Sequence, residues 1–251
     1  HAQYQELAEA LSEGKVSVGD AEEALLAMKN PYDTIALQAM GIGYRADYAY
    51  HNGKYYVYFG IVPVLLLYLP YYLLTGGALQ NYVAVFVFFA GFIIAAAGFV
   101  YELMKRYFKE QPFYLWAVGT GMLVGSYSMF YLLIRPDLYH VPIAASTMFA
   151  TAGLWLYLAG LNRPKKAVGL YAFGSFCMAF TAGCRPQFIL FAALVVVLFW
   201  ERVFVRRELF SKKGWKQTVA LVVPYVLVAA GLMAYNVLRF GSPFDFGASY
   251  S

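Results

Sequence analysis

A carboxylate, an imidazole and an ammonium group fall within eight residues of one another in the segment DYAYHNGKYYVYFG, residues 47–60. The residues concerned are Asp47, His51 and Lys54, with Tyr56 close behind them. A carboxylate at such a place can act as a general base toward a hydroxyl acceptor, while cations hold a phosphate leaving group. The same segment also fits an aromatic anchor at a membrane interface, with a turn at Asn52-Gly53. The residues alone leave both interpretations open.

Three arginines stand at the ends of apolar runs: Arg135, Arg185 and Arg239. A guanidinium group binds phosphate oxygens through two parallel hydrogen bonds, so arginines gathered at one membrane face suit a phosphate or diphosphate headgroup. Two simpler roles stay open, because Arg185 can snorkel to the interface and Arg239 can pair with Asp245. We expect the arginines to bind the phosphate of a lipid whose tail lies between helices.

The elements that must position these residues are apolar. Hydrophobic residues make up 61% of the chain and charged residues 13%, against roughly 25% charged residues in soluble domains. Seven apolar runs follow one another, at 56–75, 82–104, 113–134, 141–161, 167–184, 187–203 and 217–238. Since about 20 residues cross the hydrocarbon layer, the second, third, fourth and last runs are long enough to span it. The composition therefore predicts an all-α polytopic transmembrane helical bundle.

Basic residues between the runs indicate the orientation of the bundle. They cluster at 105–109, 163–166 and 202–216, and the positive-inside rule places all three clusters in the cytoplasm. The three arginines at the ends of the runs then emerge on the outer side. These clusters also account for the net charge of +5, so nucleic-acid binding is not expected. The side of the membrane on which residues 1–55 lie stays undecided, because the run 56–75 either crosses the membrane fully or is re-entrant.

Residues 1–55 have the pattern of short amphipathic helices lying at the membrane interface, with a small soluble cap as the alternative. Asp20 and Glu23 form a capping-box pattern, and Asp33 is placed to cap the helix DTIALQAM. We therefore divide the chain into an extracytoplasmic loop at 1–55, a transmembrane core at 56–238 and the start of an outer loop at 239–251. Because the chain begins with His1 rather than Met, we expect a fragment of a longer polypeptide.

Three phrases of the sequence carry a resemblance. They are NGKYYVYFGIVPVLLLYLPYYLLTG at 52–76, AGCRPQFILF at 182–191 and YNVLRFGSPFDFG at 235–247. They are similar to phrases of bacterial multi-spanning glycosyltransferases of the GT-C class, which includes protein O-mannosyltransferases and lipid A aminoarabinose transferases. The resemblance covers most of residues 42–251, and its phrases do not form a catalytic signature.

The resemblance implies a membrane glycosyltransferase in a bacterial plasma membrane. Such a protein moves a sugar, with inversion, from a polyprenyl-phosphate-linked donor to an extracytoplasmic acceptor, and a divalent metal is not indicated as a cofactor. Asp47 is then the expected base, Arg135, Arg185 and Arg239 bind the donor phosphate, and His51, Lys54 and Tyr56 assist. The acidic pair that the family often shows after its first helix is not found near His1, so the base can also lie before His1.

Two other function classes stay open. A non-enzymatic membrane protein, such as a transporter or a scaffold subunit of an envelope-assembly complex, is the main alternative. A transporter is expected to carry ionisable residues within its helices and to consist of two related halves. Here the charges sit at the ends of the apolar runs, which favours the enzyme. In the third class, the amino-terminal helices bind a protein partner and the apolar runs only anchor them.

Overall fold

The computed structural model describes residues 3–28, 30–43, 45–58, 60–126, 128–212 and 214–250. The chain is mostly helical, with 72% of residues in helices and 3% in strands. It forms two compact units. The first unit contains the described residues up to Leu79 together with those from Gly231 onward, and the second unit runs from Gln80 to Ala230.

The first unit begins with three short helices and a small sheet. The helices are α1 at Gln3–Ser12, α2 at Glu23–Leu26 and α3 at Thr34–Met40. The strands are β1 at Gly19–Asp20, β2 at Ala49–His51 and β3 at Lys54–Tyr56, in the antiparallel order β1-β3-β2. The expectation of an all-α chain therefore holds for most residues but omits this sheet.

One of the two expected helix caps is confirmed. The Asp33 carboxylate accepts a hydrogen bond from the backbone N–H of Ala36 at 3.1 Å, and α3 ends at Gly41 in the left-handed region. The capping box at Asp20 is wrong, because Asp20 belongs to β1 and the cap position of α2 is Glu22. Pairing of β1 with β3 thus overrides the local capping pattern.

The first apolar run forms the helix α4 at Ile61–Thr75, which contains a π-helical turn at Val64–Tyr68. It is shorter than the candidate membrane spans. Tyr4 of α1 packs against Tyr68 with 5.5 Å between ring centroids, and both rings are fully buried. This contact fixes the amphipathic helix α1 on the apolar helix α4.

The second unit is built from the long apolar helices. Its elements are α5 at Asn81–Tyr107, α6 at Tyr114–Ser126, α7 at Met129–Ile134, α8 at His140–Asn162, α9 at Ala167–Cys184 and α10 at Ala193–Leu198. A 3₁₀ turn at Pro164–Lys166 precedes α9, and a 3₁₀ helix at Pro186–Ala192 precedes α10. The last helix, α11 at Trp215–Phe240, contributes to both units.

Four helices in the described part of the chain are long and apolar enough to cross a membrane: Asn81–Tyr107, His140–Asn162, Pro164–Cys184 and Trp215–Phe240. This pattern indicates a membrane protein. The run 113–134 was also expected to span, but its described residues form the two shorter helices α6 and α7. The run 167–184 instead reaches 21 residues once the 3₁₀ turn at its start is included.

The core of the second unit lies around α8, which packs between α5 and α9. Tyr157 of α8, Tyr171 of α9 and Phe199 are buried, and Phe199 meets both tyrosine rings edge to face, at 5.6 Å from Tyr157 and 5.0 Å from Tyr171. The two helices approach closely at Gly153, where a Cβ atom would lie 3.0 Å from the carbonyl oxygen of Gly174. Small residues at such crossings are typical of helices that pack inside a membrane.

Candidate functional site

The hairpin β2-β3 positions the residues of the candidate site. Asn52 and Gly53 both have positive φ, at 49° and 78°, as the two-residue turn that matches strand twist requires. The turn expected at Asn52-Gly53 is confirmed. It sets the register that pairs Tyr50 with Tyr55 and His51 with Lys54. Because paired residues share a face of the sheet, the two tyrosines lie on one face and His51 and Lys54 on the other.

A cavity of about 220 Å³ lies on the tyrosine face of this hairpin. We call it the Asp47 cavity. Five tyrosines line it, together with Arg45, Asp47 and several apolar residues; the tyrosines are Tyr32, Tyr48, Tyr50, Tyr55 and Tyr250. The wall is thus aromatic, with one carboxylate and one guanidinium group.

Asp47 occupies an unusual backbone conformation in this wall. Its φ is +65°, in the left-handed region that few residues other than glycine adopt and that aspartate tolerates better than most. The backbone carbonyl of Asp47 accepts a hydrogen bond from the Gln3 side chain at 3.0 Å. The side chain is half-buried at the cavity. Its position next to β2 is therefore fixed by α1 as well as by the hairpin.

Arg45 is held by a carboxylate outside the cavity wall. Its guanidinium donates to Glu6, and Tyr48 donates to the same carboxylate oxygen at 2.9 Å. The guanidinium also stacks on the Tyr48 ring at 4.0 Å. Burial raises the pKa of Tyr48, and the hydrogen bond to Glu6 raises it further. At neutral pH Tyr48 is therefore a neutral donor, and the charge of Arg45 is balanced by Glu6.

Tyr55 places a buried hydroxyl at the cavity. The residue is 4% exposed, and its hydroxyl makes no hydrogen bond of ordinary geometry in the described part of the chain. Burial raises the pKa of this phenol, and the nearby backbone of Arg45 partly opposes the shift. A buried hydroxyl without a partner costs about 1–3 kcal/mol. A ligand that accepts from Tyr55 recovers that free energy.

The other hairpin residues of the expected site do not line the Asp47 cavity. His51 lies 4.7 Å from the Tyr250 ring, and its Nε2 is 3.0 Å from the Asn52 amide nitrogen. Tyr56 is buried against Phe240 at 5.4 Å. The Lys54 side chain is exposed and lines a separate cleft with four carboxylates, those of Glu6, Glu9, Glu13 and Asp20. The structure thus separates these three residues from Asp47.

Arg239, also in the first unit, is 4% exposed. It donates to the carbonyl of Val57 and to the side-chain oxygen of Asn236, both at 2.7 Å, and stacks on Tyr235 at 3.9 Å. Its Nε has no hydrogen-bond partner among the described residues. The pair with Asp245 that the sequence left open is not formed as an ion pair; that carboxylate accepts instead from the backbone N–H of Gly247 at 2.9 Å.

Arg135 and Arg185 belong to the second unit. Arg135 is exposed and follows α7, and Arg185 is half-buried between α9 and the 3₁₀ helix at Pro186–Ala192. Both stand at helix carboxyl ends, where a cation interacts favourably with the helix dipole. The expected cluster of three arginines requires residues from both units and stays a prediction.

No family model, curated protein or solved structure matches this chain. The assignment of a function therefore depends on the residues themselves. Among the described residues, no three His, Cys, Asp or Glu side chains are grouped so that they can hold a metal ion. Of the cavity residues, the sequence interpretation named Asp47 alone. A local signal for the others existed, because Tyr48, Tyr50 and Tyr55 flank a recognisable hairpin turn.

Proposed function

We propose that this chain is the membrane-embedded catalytic part of a bacterial plasma-membrane glycosyltransferase. It transfers a sugar from a polyprenyl-phosphate-linked donor to a hydroxyl acceptor outside the cytoplasm. The observation that supports this most is the Asp47 cavity, where one carboxylate stands among five tyrosines. Aromatic rings bind the C–H faces of a sugar, and phenol hydroxyls bind its oxygens.

The size of the cavity favours one sugar ring. Pockets for drug-sized ligands enclose roughly 300–1,000 Å³, whereas this cavity encloses about 220 Å³. An oligosaccharide or a lipid tail would have to extend beyond it. The polyprenyl chain would lie instead along the apolar helices, many of whose large side chains are exposed, such as Val222 and Val226.

In the proposed reaction, Asp47 accepts the proton of the acceptor hydroxyl as its oxygen attacks the anomeric carbon of the donor sugar. The bond from that carbon to the phosphate oxygen breaks, and the polyprenyl phosphate leaves with the electron pair. Attack from the face opposite the phosphate inverts the anomeric centre. Arg239, which belongs to the same unit as Asp47, supplies positive charge for the leaving phosphate. The Arg45 guanidinium at the edge of the cavity is bound by Glu6.

The test is sugar transfer from radiolabelled polyprenyl-phosphate donors in membranes that contain the full-length protein. Asp47→Asn preserves the size of the side chain and removes the base, so we expect a loss of transfer of about 100-fold or more. Asp137→Asn is the matched control, because it removes an exposed carboxylate of the second unit. Full activity in the Asp47→Asn variant would mean that another residue is the base. Absence of transfer from every donor by the folded wild-type protein would favour a transporter or a scaffold subunit.

A further inference from the structure

The second unit contains a cavity of about 280 Å³ that the glycosyl-transfer proposal does not use. It lies where the end of α5, the turn between α8 and α9, the segment 201–208 and the start of α11 come together. We call it the Arg106 cavity. Its polar wall consists of three guanidinium groups and two carboxylates, with Tyr171 and Gln217; the charged residues are Arg106, Arg202, Arg206, Glu201 and Glu208.

Arg202 forms the fixed part of this wall. Its three guanidinium nitrogens donate to Glu208 at 2.9 Å, to the Tyr171 hydroxyl at 2.9 Å and to the Gln217 side chain at 2.8 Å. The hydrogen bond from Arg202 also holds the pKa of Glu208 below its ordinary value, so this carboxylate is ionised at neutral pH. These three bonds use three of the five N–H donors of the Arg202 guanidinium and fix its position in the wall.

Arg206 and Glu201 form the second charge pair, with 2.6 Å between the guanidinium and the carboxylate. Both side chains are 60% exposed, so water screens this pair. The two carboxylates of the cavity thus offset two of its three guanidinium groups. One positive charge is left over.

The remaining charge is that of Arg106. Among the described residues, no carboxylate lies within 4.0 Å of its guanidinium. Its hydrogen bonds go to uncharged groups and are long, at 3.3 Å to the Tyr107 hydroxyl and 3.5 Å to the carbonyl of Leu161 and the side chain of Asn162. The neighbouring Glu102 is already engaged by Arg163 at 2.5 Å. A ligand with one negative charge completes the charge balance of the cavity.

The remainder of the lining and the surroundings indicate which anion fits. Gly160, Leu161, Pro164 and Ala167 give the cavity an apolar side. The cavity lies at the ends of candidate membrane spans, where lipid headgroups are found. The exposed cations Lys105, Lys165 and Lys166 are next in sequence to lining residues of the cavity. Basic pockets at the ends of transmembrane helices bind the headgroups of anionic lipids.

We propose that the Arg106 cavity binds the phosphodiester headgroup of an anionic phospholipid, with Arg106 as the principal contact. The phosphate oxygens accept from Arg106 and from N–H groups of Arg206 that do not bond to Glu201, and the glycerol backbone lies along Leu161 and Pro164. The site is independent of the Asp47 cavity, which lies in the other unit. Its ligand is a structural lipid and is not consumed.

The experiment is a titration of the full-length protein with phosphatidylglycerol in phosphatidylcholine nanodiscs, with bound lipid counted by native mass spectrometry. We expect one saturable phosphatidylglycerol site. Arg106→Gln weakens binding about fivefold, as expected for one cation near a membrane surface. Lys109→Gln is the matched control, since it removes one exposed charge near the same helix end but outside the cavity, and it leaves binding unchanged.

A third variant tests the sign of the effect. Glu201→Gln removes a carboxylate from the wall and leaves Arg206 with only the longer contact to Glu208, at 3.7 Å. Binding therefore becomes severalfold tighter, a gain that misfolding of the variant cannot produce. Equal weakening by Arg106→Gln and Lys109→Gln would overturn the proposal in favour of a diffuse basic surface. Equal binding of phosphatidylglycerol and phosphatidylcholine would also overturn it. If inorganic phosphate displaced the lipid at equal concentration, the cavity would be a site for free phosphate and the lipid proposal would be overturned.

Discussion

Tyr50 and Tyr55 face each other across the β2-β3 hairpin with 5.9 Å between their ring centroids, and both line the cavity that contains Asp47. The pair depends on the two-residue turn at Asn52-Gly53, which brings the strands into register. A local feature of the sequence therefore builds the aromatic wall of the candidate site. The hydroxyl of Tyr55 is a buried polar atom of this wall that makes no hydrogen bond of ordinary geometry to any described residue.

The Tyr55→Phe variant separates a ligand-binding role from a structural one. Because the hydroxyl forms no hydrogen bond of ordinary geometry in the described part of the chain, its removal leaves the free energy of unfolding unchanged or raises it by about 1 kcal/mol. If the substrate sugar accepts a hydrogen bond from this hydroxyl, the KM for transfer is severalfold higher in the Tyr55→Phe variant than in the wild type. Tyr32→Phe is the contrasting variant, since the Tyr32 hydroxyl donates to the carbonyl of Tyr50 at 3.1 Å and its removal lowers stability. A less stable Tyr55→Phe protein with an unchanged KM would contradict this assignment.

The Tyr48 phenol makes the first unit sensitive to alkali. Burial and the hydrogen bond to Glu6 raise its pKa in the folded protein, whereas the unfolded phenol has a pKa of about 10. A group with a raised folded pKa contributes its full stabilisation below the unfolded pKa and loses it as pH rises toward the folded value. The melting temperature of the wild-type protein should therefore fall above about pH 10. That of the Tyr48→Phe variant should fall less steeply with pH. Tyr82→Phe, at an exposed position, should follow the wild type; equal slopes for all three would contradict the prediction.

Short-range features of this chain could be predicted from its sequence, and long-range pairings could not. The turn at Asn52-Gly53 and the cap at Asp33 depend on a few adjacent residues, and both are confirmed. The hydrogen bond from Arg45 to Glu6 joins residues 39 positions apart, and no sequence pattern in either segment predicts that the two residues pair. The sheet was missed for the same reason, because β1 has two residues and pairs with a strand more than thirty positions away.

The same distinction applies to the candidate site. Asp47 was chosen because a carboxylate lies close to the first apolar run, and it does line a cavity. His51 and Lys54 were grouped with it by proximity in sequence, but strand alternation places their side chains on the opposite face of the hairpin. Recognition of the hairpin at the outset would have separated them.

Arg239→Lys tests whether this buried arginine is structural, phosphate-binding or both. Lysine keeps the charge but cannot make both 2.7 Å bonds, to the Val57 carbonyl and the Asn236 side chain. Loss of one buried bond lowers the free energy of unfolding by about 1–3 kcal/mol. Arg135→Lys, at an exposed position, should leave the melting temperature unchanged. If Arg239→Lys instead lost transfer activity at an unchanged melting temperature, its role would be phosphate binding alone.

The close approach of α8 and α9 predicts opposite effects for two glycine-to-alanine substitutions. At Gly153 a Cβ atom would lie 3.0 Å from the Gly174 carbonyl oxygen and 3.3 Å from the Met178 methyl group. The helices must then separate, which lowers the free energy of unfolding by about 1–3 kcal/mol. Gly169 of α9 has no atom within 4 Å of its Cβ position, so alanine there raises stability by about 0.5–1 kcal/mol through helix propensity. Thermal unfolding of the two variants in one detergent measures both effects. A stabilised Gly153→Ala protein would mean that the two helices are further apart at this crossing than the structure places them.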